Sequence, residues 1–157
     1  MMEVKQDLVR TTVEFETQYV MEQMIEYARR RITMQGPKDL ARIHFGPGRG
    51  AGTTTAMLNI FKAEWEKQRN PVIVTHNWNT ARDYKKQLRL LGVQEQYCEI
   101  YTAGYAQRLA LGFVYPEYYP AKPRVLFLDP WQQFSKEETS DWYYYASLAK
   151  MIAFGIN

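Results

Sequence analysis

The stretch HFGPGRGAGTTTAM, from His44 to Met57, decides the fold of this chain. An apolar, strand-like run ending at Phe45 precedes it, and a helix-like run follows it. Glycine backbones can turn their N–H groups inward, and a helix N-terminus adds positive charge. A strand, a glycine-rich turn and a helix that opens with three threonines therefore predict a phosphate-binding loop. The alternative is a turn that only connects strand to helix.

The loop departs from the usual pattern G-x-x-x-x-G-K-[ST] where the lysine belongs. Gly52 takes the place of the last glycine, Thr54 that of the hydroxyl that binds Mg²⁺, and Thr53 replaces the lysine. We expect this loss to lower phosphate affinity about 10–100-fold unless another cation replaces the lysine. Arg49 is such a cation in the loop, and the alternative is that it is a solvated loop arginine.

Composition predicts one folded domain. The chain has 157 residues, 46% of them hydrophobic and 15% aromatic, and residues 1–12 are expected to be a loose arm. A net charge of +3 permits a nucleic-acid partner without arguing for one. Cys98 alone cannot form an intrachain disulfide, and no apolar run approaches the ~20 residues that span a bilayer. We therefore expect a cytoplasmic protein without a membrane partner.

Hydrophobic periodicity and breaker residues predict alternating strands and helices. The predicted strands are Leu40–Phe45, Val72–His76, Cys98–Thr102 and Val125–Asp129. The predicted helices are Phe15–Ile32, Thr53–Gln68, Thr80–Leu91, Ala106–Leu111 and Ser140–Phe154. This alternation predicts an α/β fold with a mostly parallel sheet of four or five strands, covered on both faces.

A carboxylate ends the fourth predicted strand. In RVLFLDP, from Arg124 to Pro130, four apolar residues precede Asp129. Ligands bind at the carboxyl ends of parallel strands, where such a carboxylate can hold Mg²⁺ opposite the threonine of the loop. The alternative is an aspartate that caps the following helix.

Taken in order, these segments resemble the first motor domain of superfamily 1 helicases and of viral DNA-packaging ATPases. The loop from Arg49 to Thr54 is similar to the R-x-x-G-K-T of large terminase subunits. VIVTHNWNTARDYKKQL, which begins at Val72, resembles the helicase strand that ends in threonine and leads into a helix. EIYTAGYAQRLAL resembles the strand whose threonine, here Thr102, contacts single-stranded DNA. The resemblance covers about residues 40–135.

The resemblance implies a three-layer αβα fold of the P-loop NTPase type with a RecA-like core, and ATP and Mg²⁺ as ligands. Thr54 and Asp129 would hold the metal, and Arg49 and Asp129 would act in catalysis. The nucleotide would contact eight consecutive loop residues: Gly48, Arg49, Gly50, Ala51, Gly52, Thr53, Thr54 and Thr55. Pro130 stands where these motors carry the carboxylate that polarises water, so we expect slow hydrolysis.

We therefore expect a minimal, degenerate helicase- or packaging-type ATPase domain that acts with nucleic acid. Its origin would be viral or phage, and its location the host cytoplasm. The alternative is a catalytically inactive scaffold of the same fold that binds nucleic acid or protein. A helix carrying aromatic residues from Trp142 to Tyr145 cannot bury them all, which predicts a homo-oligomer or a larger protein partner.

Four further groups receive structural interpretations. We expect His44 to be an interior histidine and His76–Asn77 to form a polar turn, with a γ-phosphate contact as the alternative. Arg29–Arg31 is expected to be a solvated helix end, with phosphate contact as the alternative. Glu137–Glu138 is expected to cap the last helix.

Overall fold

A computed structural model describes residues 16–31, 42–47, 51–94, 98–111 and 123–157. The strands are β1 (Arg42–Phe45), β2 (Val72–Thr75), β3 (Glu99–Thr102), β4 (Val125–Leu128) and β5 (Ile152–Ile156). The helices are α1 (residues 16–31), α2 (Thr53–Glu66), α3 (Trp78–Leu90), α4 (Ala106–Leu111) and α5 (Lys136–Leu148). Short 3₁₀ turns occupy Ala103–Tyr105 and Trp131–Gln133. The predicted N-terminal arm and three loop residues, Gly48, Arg49 and Gly50, lie outside the described residues.

The five strands form one parallel sheet in the order β1-β5-β4-β2-β3. Ile73 of β2 lies opposite Phe127 of β4, and Phe127 lies opposite Phe154 of β5. All residues of β2, β4 and β5 are buried, as expected for parallel strands covered on both faces. The predicted α/β class with a parallel sheet is confirmed.

Helices cover both faces of the sheet. Alternate residues of each strand point to opposite faces, so each buried strand contributes side chains to two cores. Ile73 and Phe127 contribute to one core, together with side chains from α1, α2 and α3. Val74 and Leu128 contribute to a second core with side chains from α4 and α5. The arrangement is compatible with a three-layer α/β fold.

The predicted last helix, Ser140–Phe154, is wrong at both ends. It begins earlier because Ser135 accepts a hydrogen bond from the Glu138 N–H (3.1 Å) and the Glu138 carboxylate accepts one from the Ser135 N–H (2.8 Å). This capping box gives Glu138 its predicted role. The helix ends at Leu148, and Lys150 turns the chain with a φ of 54°. The residues that follow form β5, which is fully buried between β1 and β4.

Two predictions about single polar residues also fail. Arg29 is not solvated: it is 5% exposed and pairs with Glu64 at 2.6 Å and Glu26 at 3.1 Å, so it links α1 to α2. Arg30 and Arg31 are exposed, as predicted for a helix end. His44 is exposed rather than interior, and its ring packs on Trp131 with 4.4 Å between centroids.

The aromatic run of α5 is divided between core and surface. Trp142 is fully buried and its indole N–H donates to the Ala103 carbonyl at 2.8 Å. Tyr145 is also buried, whereas Tyr144 is 60% exposed. Two of the four aromatic residues in this predicted interface are therefore core, and Tyr143 is half-buried.

Candidate functional site

The candidate site lies at the carboxyl edge of the sheet, where β1, β2, β4 and β5 all end. Backbone hydrogen bonds join these ends: the Asn157 N–H donates to Phe45 and the Asp129 N–H donates to Val74, both at 3.0 Å. The helix α2 begins at the same edge, because the loop after β1 leads directly into it. Parallel strands therefore bring together side chains that are far apart in sequence.

Asp129 is the centre of a hydrogen-bond network. Its Oδ2 accepts a hydrogen bond from the Thr54 hydroxyl at 3.1 Å and another from the Tyr84 hydroxyl at 2.7 Å. Thr54 lies in the first turn of α2, and Tyr84 lies on the buried face of α3. The structure thus brings together the two predicted metal ligands, Thr54 and Asp129, and adds Tyr84.

Burial governs the electrostatics of this network. Asp129 is 1% exposed, and burial raises the pKa of its carboxyl group. Hydrogen bonds from Tyr84, Thr54 and Asn157 act against that rise, because they stabilise the ionised form. Burial and the nearby Asp129 also raise the pKa of Tyr84, so its phenol remains a proton donor. A buried carboxylate held by donors in this way would gain stability from a cation.

Gly52 gives the start of α2 a left-handed entry into the helix. Gly52 precedes the helix with φ 75° and ψ 24°, in the left-handed region that glycine adopts most easily. Glycine has no side chain to accept hydrogen bonds from the first-turn N–H groups, which leaves them for another acceptor. On the outer side, Thr17 of α1 donates its hydroxyl proton to the Ala51 carbonyl at 2.7 Å.

The residue at the lysine position faces inward. Thr53 is 4% exposed, and its Oγ1 accepts a hydrogen bond from Nδ2 of Asn157 at 2.8 Å. Asn157 directly follows β5, so this contact ties the start of α2 to the end of β5, the strand that lies between β1 and β4.

Two buried oxygens at this edge lack a hydrogen-bond partner among the described residues: Oγ1 of Thr75 and Oδ1 of Asn157. Thr75 ends β2 and is fully buried. Buried polar atoms are nearly always satisfied, and an unsatisfied one is costly. Such atoms at one edge of the sheet are suited to a water molecule or a polar ligand.

The remaining predicted residues lie at the rim. Thr55 is exposed on α2, and Thr102 is half-buried at the end of β3. Asn77 caps α3 by accepting the Thr80 N–H at 2.9 Å, and His76 is exposed beside Phe134. These two residues form the predicted polar turn.

Sequence reasoning missed Tyr84 and Asn157. Tyr84 shares the buried face of α3 with Ala81 and Leu88, so its spacing is that of any core aromatic residue. Asn157 followed a segment predicted to be helical, which hid its place at a strand end.

Comparisons with models of known protein families, with curated proteins and with solved structures give no match for this chain. Within the described part of the chain, no helix has the length and apolar character needed to cross a membrane. Nor do three or more His, Cys, Asp or Glu side chains cluster there as possible metal ligands.

Proposed function

We propose that this domain binds a nucleoside triphosphate, ATP, together with Mg²⁺ at the carboxyl edge of its sheet. The hydrogen bond between Thr54 and Asp129 carries the proposal. It joins the first turn of a helix that follows a glycine-rich loop to the end of a buried parallel strand, 75 residues later. This is the arrangement expected of a P-loop NTPase-type domain with a RecA-like core.

Thr54 and Asp129 have the chemistry that Mg²⁺ requires. A threonine hydroxyl has one proton and two lone pairs, so Thr54 can donate to Asp129 and bind a cation at the same time. Mg²⁺ prefers oxygen ligands, keeps several waters and often uses only one or two carboxylates alongside substrate phosphates. It would supply charge neutralisation at the phosphates. A larger acidic cluster is therefore not needed.

The loop and the start of α2 would bind the phosphates. Backbone N–H groups after Gly52 meet the negative charge of a phosphate at the positive end of the helix. Arg49 would add the cation that Thr53 does not provide.

We propose slow or partner-dependent hydrolysis, with turnover well below the ~10 s⁻¹ typical of enzymes. Thr53 supplies no positive charge, and Pro130 supplies no carboxylate to polarise the attacking water. The same two residues favour the second candidate, an inactive scaffold of this fold. A phosphate-release assay distinguishes the slow ATPase from the inactive scaffold. Once the domain is shown to bind Mg-ATP, only the ATPase releases phosphate above background.

The test of nucleotide binding uses two glycines in left-handed conformations. Gly52 has φ 75° and Gly92, in the turn after α3, has φ 98°. A valine costs about 1–2 kcal/mol at either position through backbone strain. We expect calorimetry to detect Mg-ATP binding to wild type and Gly92→Val, and to detect none with Gly52→Val. Absence of wild-type binding to ATP, ADP and pyrophosphate at millimolar ligand would refute the proposal.

We also propose that the domain acts with single-stranded nucleic acid, through the outer face of α3. Arg82, Lys86 and Arg89 are exposed along this face. Trp78, at the start of α3, is 62% exposed, and the Lys85 ammonium lies 5.4 Å from its ring centroid. Cations for phosphates beside an exposed aromatic ring for stacking are the usual elements of a single-strand surface.

A fluorescent oligothymidine measures this binding by anisotropy. Replacing Arg82, Lys86 and Arg89 with glutamine should weaken binding and reduce the slope of log K against log salt by about 2, because three phosphate contacts are lost. A control triple variant carries glutamine at Arg30, Lys67 and Lys136, exposed cations on other elements. Equal losses in the two triple variants would mean that only net charge matters and that α3 is not the surface.

A further inference from the structure

Two hydroxyl groups donate hydrogen bonds to Oδ2 of Asp129, and that of Tyr84 makes the shorter bond. The Tyr84 hydroxyl lies 2.7 Å from Oδ2, whereas the Thr54 hydroxyl lies 3.1 Å from the same atom. The tyrosine ring is 6% exposed, and α3 is anchored beside it by the fully buried Ala81 and Leu88. The phenol is therefore a rigid donor, held by the core rather than by solvent.

Sharing one oxygen has a geometric consequence for the carboxylate. A carboxylate oxygen can accept two hydrogen bonds, and Oδ2 accepts one from each of the hydroxyls of Thr54 and Tyr84. Two donors from different helices fix the rotation of the carboxylate group. Oδ1, to which neither hydroxyl donates, is then the oxygen suited to a cation or to a water bound to it.

We propose that Tyr84 is a positioning residue that orients Asp129 for the divalent cation accompanying a bound nucleotide. The inference rests on the proposed function. Tyr84 itself touches neither cation nor nucleotide in this role. Its role is that of a residue that orients a metal ligand through a hydrogen bond. Removing such a partner typically weakens metal affinity about 10–100-fold.

Two other roles for Tyr84 predict different behaviour. A purely structural hydrogen bond would affect folding and every form of ligand binding alike. A competitor that must leave Asp129 before the cation binds would make Mg²⁺ binding stronger when its hydroxyl is removed. The Mg²⁺-dependent part of nucleotide affinity distinguishes all three roles.

The experiment is calorimetric titration of the full chain with ADP, once with Mg²⁺ and once with EDTA. Tyr84→Phe keeps the buried ring and removes only the hydroxyl. The control is Tyr101→Phe, which removes a hydroxyl that donates to Glu99 at 3.3 Å. Tyr101 is half-buried against the core on the opposite face of the sheet. Melting curves establish that each variant is folded at the titration temperature, which is lowered where a variant requires it.

We expect Tyr84→Phe to bind ADP normally in EDTA and to lose about 10–100-fold of the tightening that Mg²⁺ confers on wild type. Tyr101→Phe should match wild type in both titrations. An unchanged or larger Mg²⁺ effect in Tyr84→Phe, or equal losses with and without Mg²⁺, would overturn the positioning role alone. Failure of wild type to bind ADP in either titration would instead overturn the proposed function, and the inference with it.

Discussion

Asp129 is the residue at which stability and the proposed cation binding oppose each other. Its carboxyl group is 1% exposed, and burial disfavours its charged form. Hydroxyl donors from Thr54 and Tyr84 recover part of that cost. A carboxylate buried in this way lowers the stability of the fold while no cation is bound, and a bound cation would stabilise it. This property suits a ligand site better than a purely structural position.

We predict that Asp129→Asn stabilises the empty domain at neutral pH. The pKa of Asp129 is raised above its ordinary 3.8, so the native state binds more protons than the unfolded state between these two values. Its contribution to stability therefore falls as pH rises through that window. Denaturant unfolding should show the advantage of Asp129→Asn growing from acid to neutral pH, while Mg²⁺-dependent nucleotide binding is lost. A constant difference across pH would contradict the raised pKa.

We predict that Thr53→Lys tightens pyrophosphate binding about 10–100-fold, the value of a charged hydrogen bond. The same change should destabilise the empty domain, since a buried ammonium lacks a partner and the Asn157 amide loses its acceptor. Calorimetry measures the affinity for pyrophosphate. The rise in melting temperature on adding pyrophosphate measures how far bound ligand restores the stability that the variant loses when empty. Gln23→Lys, which adds the same charge at an exposed position on α1, is the control and should leave pyrophosphate affinity unchanged. No tightening would mean that another cation already fills this position.

Single residues were predictable where motif chemistry defines them. Thr54 and Asp129 meet as predicted, because a glycine-rich loop before a helix and an acidic strand end converge at one sheet edge. Tyr84 and Asn157 were not predictable, since their roles arise only from tertiary contacts. Arg29 was misread for the same reason: its partner Glu64 is on another helix.

At the scale of elements, β5 depends on a close approach between Gly155 and Trp131. A Cβ atom at Gly155 would lie 2.4 Å from Cδ1 of Trp131. The indole cannot move freely, because it packs on His44 and donates to the Tyr143 hydroxyl at 3.1 Å. Glycine in this strand therefore marks a site where a large side chain crosses the backbone.

We predict that Gly155→Ala lowers the free energy of unfolding by about 1–3 kcal/mol through overpacking. In a Trp131→Leu background the same change should cost much less, because the ring that it meets is gone. A double-mutant cycle from denaturant unfolding measures this coupling. Additive costs would show that Trp131 is not the obstacle.

Strands and helices were predictable where pattern and length agreed. Val72–Thr75 and Val125–Leu128 are apolar runs bounded by turn residues, and both are strands as predicted. Ile152–Ile156 is equally apolar but is separated from α5 by only a short turn, and periodicity alone cannot separate a short buried strand from a continued helix. The segment is a strand because it pairs with both β1 and β4, and this tertiary pairing is not visible in the sequence pattern.

At the scale of the whole molecule, three separate parts of the fold contribute side chains to the candidate site. α2 supplies Thr54, α3 supplies Tyr84, and the turn after β4 supplies Asp129. The α/β class follows from the sequence, because alternating apolar strands and amphipathic helices allow few other folds. The viral or phage origin, the cytoplasmic location and the self-association stay predictions.

Self-association is testable because the fold divides the aromatic run of α5. Trp142 lies in the core, whereas Tyr144 is 60% exposed near Leu111 of α4, which is 89% exposed. Trp142→Ala should destabilise the domain by about 3–5 kcal/mol. Tyr144→Ala should change stability by no more than about 0.5 kcal/mol.

If α4 and α5 form the predicted interface, Tyr144→Ala must weaken association without lowering the melting temperature, since interface aromatics carry much of the binding energy. Sedimentation equilibrium over a wide concentration range, with and without Mg-ATP, measures this. We expect a concentration-dependent dimer for wild type and a weaker one for Tyr144→Ala. Tyr27→Ala, which removes a similarly exposed tyrosine on α1, should leave the dimer unchanged. A wild-type monomer at every concentration would refute self-association and leave a separate protein partner as the role for this surface.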